Sequence, residues 1–244
     1  MNDGRFGYDA STYGERIAEV YDAWHPASDS TAIDTLAELS RGGRVLELAI
    51  GTGRLALPLA ARGLEVHGID ASPAMVAKLR AKPGGTIPVV LGDFANVEVE
   101  GTFSLVFVAF NTIYALLTQA EQVRCFRNVA RHLTDDGCFV LEAFVPDLGR
   151  FRRGQTVTAG DITSDAVRID VSHHDPVAQV VTSQHVVITE TGTRLYPVRL
   201  RYAWPPELDL MAQLAGLALR DRWGGWDRRP FTAESDKHVS VYGR

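Results

Sequence analysis

The sequence predicts an α/β fold: a doubly wound, mostly parallel sheet with helices on both faces, interrupted late in the chain by an antiparallel β meander. Three observations carry this. Short apolar runs alternate with helical stretches from residue 44 to residue 145, the pattern of a sheet buried on both sides. The first run passes through a glycine-rich turn directly into a helix, in VLELAIGTGRLALPLAARG at 45–63. Residues 155–203 lack helical periodicity and are rich in Val, Thr, Ile, Tyr and Arg, as in half-buried strands.

The elements follow from local signals. Ile17, Val20, Tyr21 and Trp24 recur at helical spacing over 12–24, and His25-Pro26 closes that helix. A second helix over 29–40 turns Ile33, Leu36, Ala37 and Leu39 inward and breaks at Arg41-Gly42-Gly43. Strands are expected at 44–49, 65–69, 87–91, 103–110 and 138–145, with helices at 53–62 and 73–81 between the first three. Ser72-Pro73 reads as an N-cap followed by proline at the first helical position. Thr118 and Glu121 form a capping box for a helix that turns Val123, Phe126, Val129 and Leu133 to one face and stops at Asp135-Asp136-Gly137.

Beyond residue 150 the turn signals Gly160-Asp161, Asp175-Pro176 and Thr191-Gly192 divide the chain into a meander of about four strands. Pro205-Pro206-Glu207 opens a last helix, Ala215-Gly216 ends it, and 217–223 and 237–242 read as two closing strands. The expected organisation is a helical lid at 1–43, a core at 44–150 and 204–244, and a β insertion at 151–203 that forms the wall of a substrate pocket.

Composition narrows the function. The 244 residues are 45% hydrophobic, enough for one sizeable core, and carry a net charge of −5. No positive field attracts phosphate backbones or anionic lipid, so neither nucleic acid nor membrane is an expected partner. Cys125 and Cys138 lack the spacing of a disulfide framework or zinc site. The N-terminal stretch is polar, and no apolar run approaches the roughly 20 residues that span a bilayer. A cytoplasmic protein is the expectation.

The glycine turn has two readings. Gly51-Thr52-Gly53-Arg54-Leu55-Ala56 fits a dinucleotide fingerprint, and Asp70 ends the next strand where a ribose-binding acid belongs. Against a dinucleotide, Glu47 precedes the turn, where a pyrophosphate gains nothing from a carboxylate but a cofactor bearing an ammonium and a sulfonium does. Asp93, in VLGDF, ends the third strand, where it can accept from an adenine amine.

Taken in order, VLELAIGTGRLALPLAARG, VHGIDASPAM, VVLGDF, FSLVFVAFNTIYALL and HLTDDGCFVLEAF resemble the class I S-adenosylmethionine-dependent methyltransferases. The resemblance implies a Rossmann-like sheet of seven strands in the order 3-2-1-4-5-7-6, with strand 7 antiparallel. It implies S-adenosyl-L-methionine as cofactor and S-adenosyl-L-homocysteine as product. In that family Ala49 and Ile50 stand where Gly and Cys are usual. YGERIAEVYDAWH and VSHHD further resemble bacterial N-methyltransferases of nucleotide-linked amino sugars in antibiotic biosynthesis, although Tyr114-Ala115 stands where those enzymes can carry a histidine.

On this resemblance Ala49, Gly51, Thr52 and Gly53 form the turn against the cofactor, the two glycines admitting it without a Cβ clash. Glu47 supports the turn or faces the methionine ammonium, Asp70 accepts from the ribose hydroxyls, Ala71 beside it also contacts the cofactor, and Met75 packs on the adenine. Asp93 and Phe94 read the adenine edge, and Phe110 borders the cofactor. Tyr13 and Tyr21 match positions that close over it.

Ligands of such sheets sit beyond the carboxyl ends of the strands, which puts Asn111, Thr112 and Tyr114 at the methyl group. His173 and His174 are adjacent on an expected strand and point to opposite faces, so one can serve as base or substrate ligand. The expected catalytic set is Asn111, Tyr114, His173 and His174, with no metal. The acceptor is a small molecule methylated on N or O, and exposed meander edges suggest a homodimer. A nicotinamide oxidoreductase and a non-transferring S-adenosylmethionine binder stay open at this level.

Overall fold

The computed structural model describes residues 7–25 and 30–244. Pro26 and residue 29, the expected start of the second helix, lie outside the described residues. Strands β1 (Val45–Leu48), β2 (Val66–Asp70), β3 (Val89–Leu91), β4 (Phe103–Val108) and β5 (Leu133–Phe144) are parallel neighbours, and β10 (Ala218–Trp223) and β11 (Lys237–Gly243) complete the sheet. The order is β3-β2-β1-β4-β5-β11-β10, with β11 antiparallel to both β5 and β10. This is the 3-2-1-4-5-7-6 order.

The sheet is apolar on both faces, as its continuous hydrophobic runs require. Val106, Val108, Phe139 and Leu141 pack with Phe126 of α6 (Gln119–His132) and Leu208 of α7 (Pro205–Leu214). The alternate residues Leu105, Phe107, Cys138 and Val140 pack with Leu36 of α3 (Ser30–Ser40) and Leu59 of α4 (Ala56–Ala61). Burying each of the larger side chains stabilises the fold by about 1.5–3 kcal/mol. The capping box at Thr118 is complete, with Glu121 N–H donating to Thr118 Oγ1 at 3.1 Å and Thr118 N–H to Glu121 Oε2 at 2.9 Å. Ser72 Oγ accepts from Met75 N–H at the start of α5 (Pro73–Arg80).

Five local expectations are corrected. The helix over 12–24 is two pieces, α1 (Thr12–Ile17) and α2 (Tyr21–Trp24), because Val20 N–H closes on Ile17 O and tightens the turn between them. The helix after the glycine turn begins at Ala56 rather than at Gly53, whose φ of +80° is not helical. The fourth strand ends at Val108, because Phe110 and Asn111 are both left-handed. The fifth strand starts at Leu133, where the chain already pairs with Phe103, so Asp135-Asp136-Gly137 lies inside it. In the insertion, Gly160-Asp161 sits within a strand, and the turn falls at 163–165, closed by Thr163 N–H to Ala166 O.

The insertion is a second, four-stranded antiparallel sheet, β6 (Gln155–Ile162), β7 (Ala166–Asp175), β8 (Val180–Thr189) and β9 (Gly192–Arg201), in that spatial order. β9 is its inner edge and lies against α1 and the 3-10 turn Thr112–Ala115. On one face Tyr196 and Val187 pack with Trp24, Ile17 and Met75, which joins the insertion to the N-terminal helices.

Candidate active site

Four strand ends and the N-terminal helices enclose a cleft of about 670 Å³, within the usual range for a small-ligand site. Ala49 follows β1 with φ +56° and Gly51 follows with φ +57°, so the chain reverses tightly above the sheet. Asp70 holds this turn: its Oδ2 accepts from Gly51 N–H at 2.7 Å and its Oδ1 from Ser72 N–H at 2.8 Å. Burial raises the Asp70 pKa, and those two backbone N–H groups offset part of the rise.

Glu47 on β1 is buried, lines the cleft, and leaves its Oε2 without a hydrogen-bond partner. Burial pushes its pKa well above the carboxylate range, and nearby Arg54 counters only part of that. A buried acid with an orphan oxygen in the lining of a cleft is a receptor for a cationic donor.

The N-terminal helices are tied over this floor by acids. Glu15 Oε1 accepts from Ser72 Oγ at 2.8 Å and Ala74 N–H at 2.9 Å, Glu19 pairs with Lys78 at 2.7 Å, and Asp22 accepts from Thr52 Oγ1 at 2.6 Å and pairs with Lys82 at 2.7 Å. Gly14 makes the approach possible, since a Cβ there would fall 2.5 Å from Ser72 Cβ. Tyr13 and Tyr21 thereby reach the cleft. His25, read in the sequence only as a helix-closing residue, packs its ring edge-on against Tyr21 and Phe110 with centroids 4.7 and 4.9 Å away. Burial, then Arg54, Arg168 and His185, push its pKa down to about 4, so it adds no second cation beside Arg54.

The expected cofactor residues Tyr13, Tyr21, Glu47, Ala49, Gly51, Thr52, Asp70, Ala71, Met75, Asp93, Phe94 and Phe110 all line this one cleft. Gly53 does not. A Cβ at Gly53 would meet Leu79 Cδ1 at 2.3 Å and Leu57 Cγ at 3.0 Å, so this glycine admits a helix, not a ligand. The cleft also takes in Tyr8, Arg54, Thr112 and Arg199. Of these, Thr112 was expected beyond the fourth strand, and Tyr8, Arg54 and Arg199 were not singled out.

The expected catalytic set is corrected. Asn111 Oδ1 accepts from Phe144 N–H at 2.6 Å, and its backbone N–H donates to Glu142 O at 3.0 Å. With Phe110 N–H donating to Glu142 Oε2 at 3.0 Å, β5 fixes two consecutive left-handed residues. Asn111 thus positions Phe110, over whose ring Arg54 stacks at 4.8 Å. Tyr114 is fully buried, its hydroxyl donating to Ala203 O at 2.8 Å and contacting Phe144 O at 3.1 Å. His173 is exposed, and His174 is buried with Nε2 3.0 Å from Tyr202 Oη. Both lie on β7, separated from the cleft-side strand β9 by β8. Among the described residues no cluster of three or more His, Cys, Asp or Glu side chains is arranged to hold a metal.

A parallel sheet with an acid at or just beyond each of its first three strands, facing a cleft that N-terminal helices also line, defines a methyltransferase of the S-adenosylmethionine class. Known proteins agree. The family model described as a methyltransferase domain matches residues 45–137. The CcbJ methyltransferase from Streptomyces caelestis superimposes with a TM-score of 0.90 at 43% identity, over 97% of this chain and 99% of that one. The cypemycin N-terminal methyltransferase of a Streptomyces species is 28% identical over 97% of this chain and 99% of its own. CalS10, an amino pentose methyltransferase from Micromonospora echinaspora involved in calicheamicin biosynthesis, shares the fold with a TM-score of 0.71 at 22% identity, over 93% of this chain and 95% of that one. The chain belongs to the S-adenosylmethionine-dependent methyltransferases. The dinucleotide reading of the glycine turn is thereby set aside: the whole-chain similarity is to methyltransferases, and the orphan Glu47 oxygen calls for a donor that a pyrophosphate does not have.

Proposed function

We propose that this enzyme methylates an amine nitrogen of a small molecule made in bacterial antibiotic biosynthesis. The observation that carries the reading is the similarity, along nearly the whole chain, to a methyltransferase named for an N-terminal amine and to one named for an amino pentose, together with a cleft whose floor is acidic. S-adenosylmethionine supplies an activated methyl on a positively charged leaving group. The residues present fit it: Glu47 offers its orphan oxygen to the ammonium, Gly51 leaves room for close approach, and Asp70 and Asp93 offer acceptors to donors of the nucleoside. Tyr13 and Tyr21 exclude water from above, and Phe110 limits the space beyond β4.

In this reading the lid is residues 1–43, the core 44–150 and 204–244, and residues 151–203 wall the acceptor pocket. Alignment and dehydration do most of the work, because the leaving group is already activated. Incubating the protein with S-adenosylmethionine and a panel of secondary-metabolite amines, with S-adenosylhomocysteine release as the readout, tests the reading. Turnover on an amine supports it; turnover confined to hydroxyl acceptors, or tight cofactor binding with no acceptor consumed, would sink it.

We further place the enzyme in the reducing cytoplasm, where free thiols such as Cys125 and Cys138 persist. No helix of the described residues is long and apolar enough to cross a membrane. A homodimer is proposed through the outer face of the insertion. The register sets Val157 opposite Val171, and Ile169 and Leu195 on either side of Val186. Val157, Val171 and Leu195 are 67%, 43% and 53% exposed, an apolar sheet surface of the kind monomers avoid. Light scattering after size exclusion should give twice the chain's mass, and Val171→Glu should halve it. A monomeric wild-type protein refutes the dimer.

A further inference from the structure

We propose that Arg199, on the insertion's inner edge strand β9, is an anion subsite that receives a carboxylate or phosphate group of the methyl acceptor. The proposal rests on the methyltransferase reading above and adds the acceptor's charge. Arg199 lines the cleft, and its Nε is buried without a hydrogen-bond partner. Two enclosed arginines show the contrast: Arg201 is matched by Glu207 at 2.7 Å and Arg222 by Asp209 at 2.6 Å, while Arg168, whose Nε is also unpartnered, pairs with Asp161 through Nη1 at 3.2 Å and lies outside the cleft. Asp9, which also lines the cleft, spends its Oδ1 on Ser11 and Thr12.

The arginine is also held. Its backbone N–H donates to Tyr8 Oη at 3.3 Å, and its guanidinium lies 6.0 Å from the Tyr8 ring centroid. A guanidinium anchored on an aromatic ring, with a dry unsatisfied N–H, is preorganised for a forked contact to an oxyanion. The cofactor's methionine end carries a carboxylate beside its ammonium, and in our reading that carboxylate falls to Arg54, which lines the cleft close to Glu47, whereas Arg199 stands on the insertion. Strand β9 belongs to the insertion, the part of the chain that walls the acceptor pocket. An acceptor bearing an anionic group would be seated there with its amine directed into the cleft.

The test uses full-length, ¹⁵N-labelled protein saturated with S-adenosylhomocysteine. Arginine Nε–Hε resonances are followed while acetate, methyl phosphate or the neutral methyl glucoside is added, the Arg199 signal being assigned from its loss in Arg199→Lys. A saturable shift of that signal with acetate or methyl phosphate and none with the glucoside is expected, and whichever anion acts at lower concentration names the group. In Arg199→Gln the affinity for the better anion should fall about tenfold or more, with S-adenosylhomocysteine affinity unchanged. An Arg199 signal indifferent to both anions, or moving without saturation along with surface arginines, overturns the subsite. So does a tenfold loss of S-adenosylhomocysteine affinity in Arg199→Lys and Arg199→Gln, which would assign the residue to the cofactor. Failure of the wild-type protein to bind S-adenosylhomocysteine would instead count against the function itself.

Discussion

Replacing Glu47 with Gln should make the empty protein more stable and the cofactor pocket weaker, an opposition that a purely structural acid would not produce. Glu47 is buried at the cleft floor with one oxygen unpartnered, so the empty fold favours its neutral form. Its folded-state pKa therefore lies above the unfolded value of about 4.3. Between those two values the folded chain holds a proton that the unfolded chain has released. The wild-type protein thus loses stability as pH rises above the unfolded value, and the loss levels off beyond the raised one. The amide has no proton to lose, so Glu47→Gln should overtake the wild type as pH rises in urea titrations of the empty protein.

Cofactor binding reverses the sign. An ammonium brought to the orphan oxygen favours the carboxylate and drives the proton out. S-adenosylhomocysteine carries the same ammonium, so its binding should release a proton below the raised pKa, countable by calorimetry in buffers of different ionisation enthalpy. A charge-assisted contact of this kind contributes about 1.5–3 kcal/mol, and Glu47→Gln should weaken S-adenosylhomocysteine by roughly 10- to 150-fold. Unchanged affinity with no proton release would remove Glu47 from the ammonium site and leave the orphan oxygen unexplained.

What the sequence could reveal depended on whether a residue's direction is set locally or by distant partners. Strand alternation, the Thr118–Glu121 box and the Ser72-Pro73 start are local, and they placed the strands and helices of the parallel core in their order along the chain, while the spatial order of the sheet came from the family resemblance. Tyr114 was misread because residues 112–115 form a 3-10 turn, in which side chains three apart share a side. Thr112 and Ala115 accordingly face the cleft, while Ile113 and Tyr114 face the core. For His173 and His174, alternation across the strand was read correctly, one exposed and one buried. Their distance from the cleft follows from the spatial order of the insertion, which places β9, not β7, against α1. No periodicity in the chain encodes that order.

The two glycines of the turn looked equivalent in sequence, and substituting each by alanine should separate them. At Gly53 the backbone is at φ +80° and a Cβ would lie 2.3 Å from Leu79 Cδ1. A left-handed alanine costs about 1 kcal/mol, and forcing a methyl into a packed helix contact costs a further 1–3 kcal/mol or so. For a chain of this size that lowers the melting temperature by on the order of 10 °C. Gly51 shares the backbone cost, at φ +57°, but its Cβ would make only an ordinary contact, 3.4 Å from Met75 Cε, inside the cleft. Gly51→Ala should therefore melt only slightly earlier than the wild type and lose about tenfold or more in S-adenosylhomocysteine affinity, since the methyl occupies space the ligand needs. Gly53→Ala should show the reverse: a large loss of stability, and near-normal affinity at a temperature where it is folded. Calorimetry and thermal melts on the two variants decide the matter. If Gly53→Ala instead stays stable and loses the cofactor, the second glycine does face the ligand, and the packing of Leu79 against it is incidental.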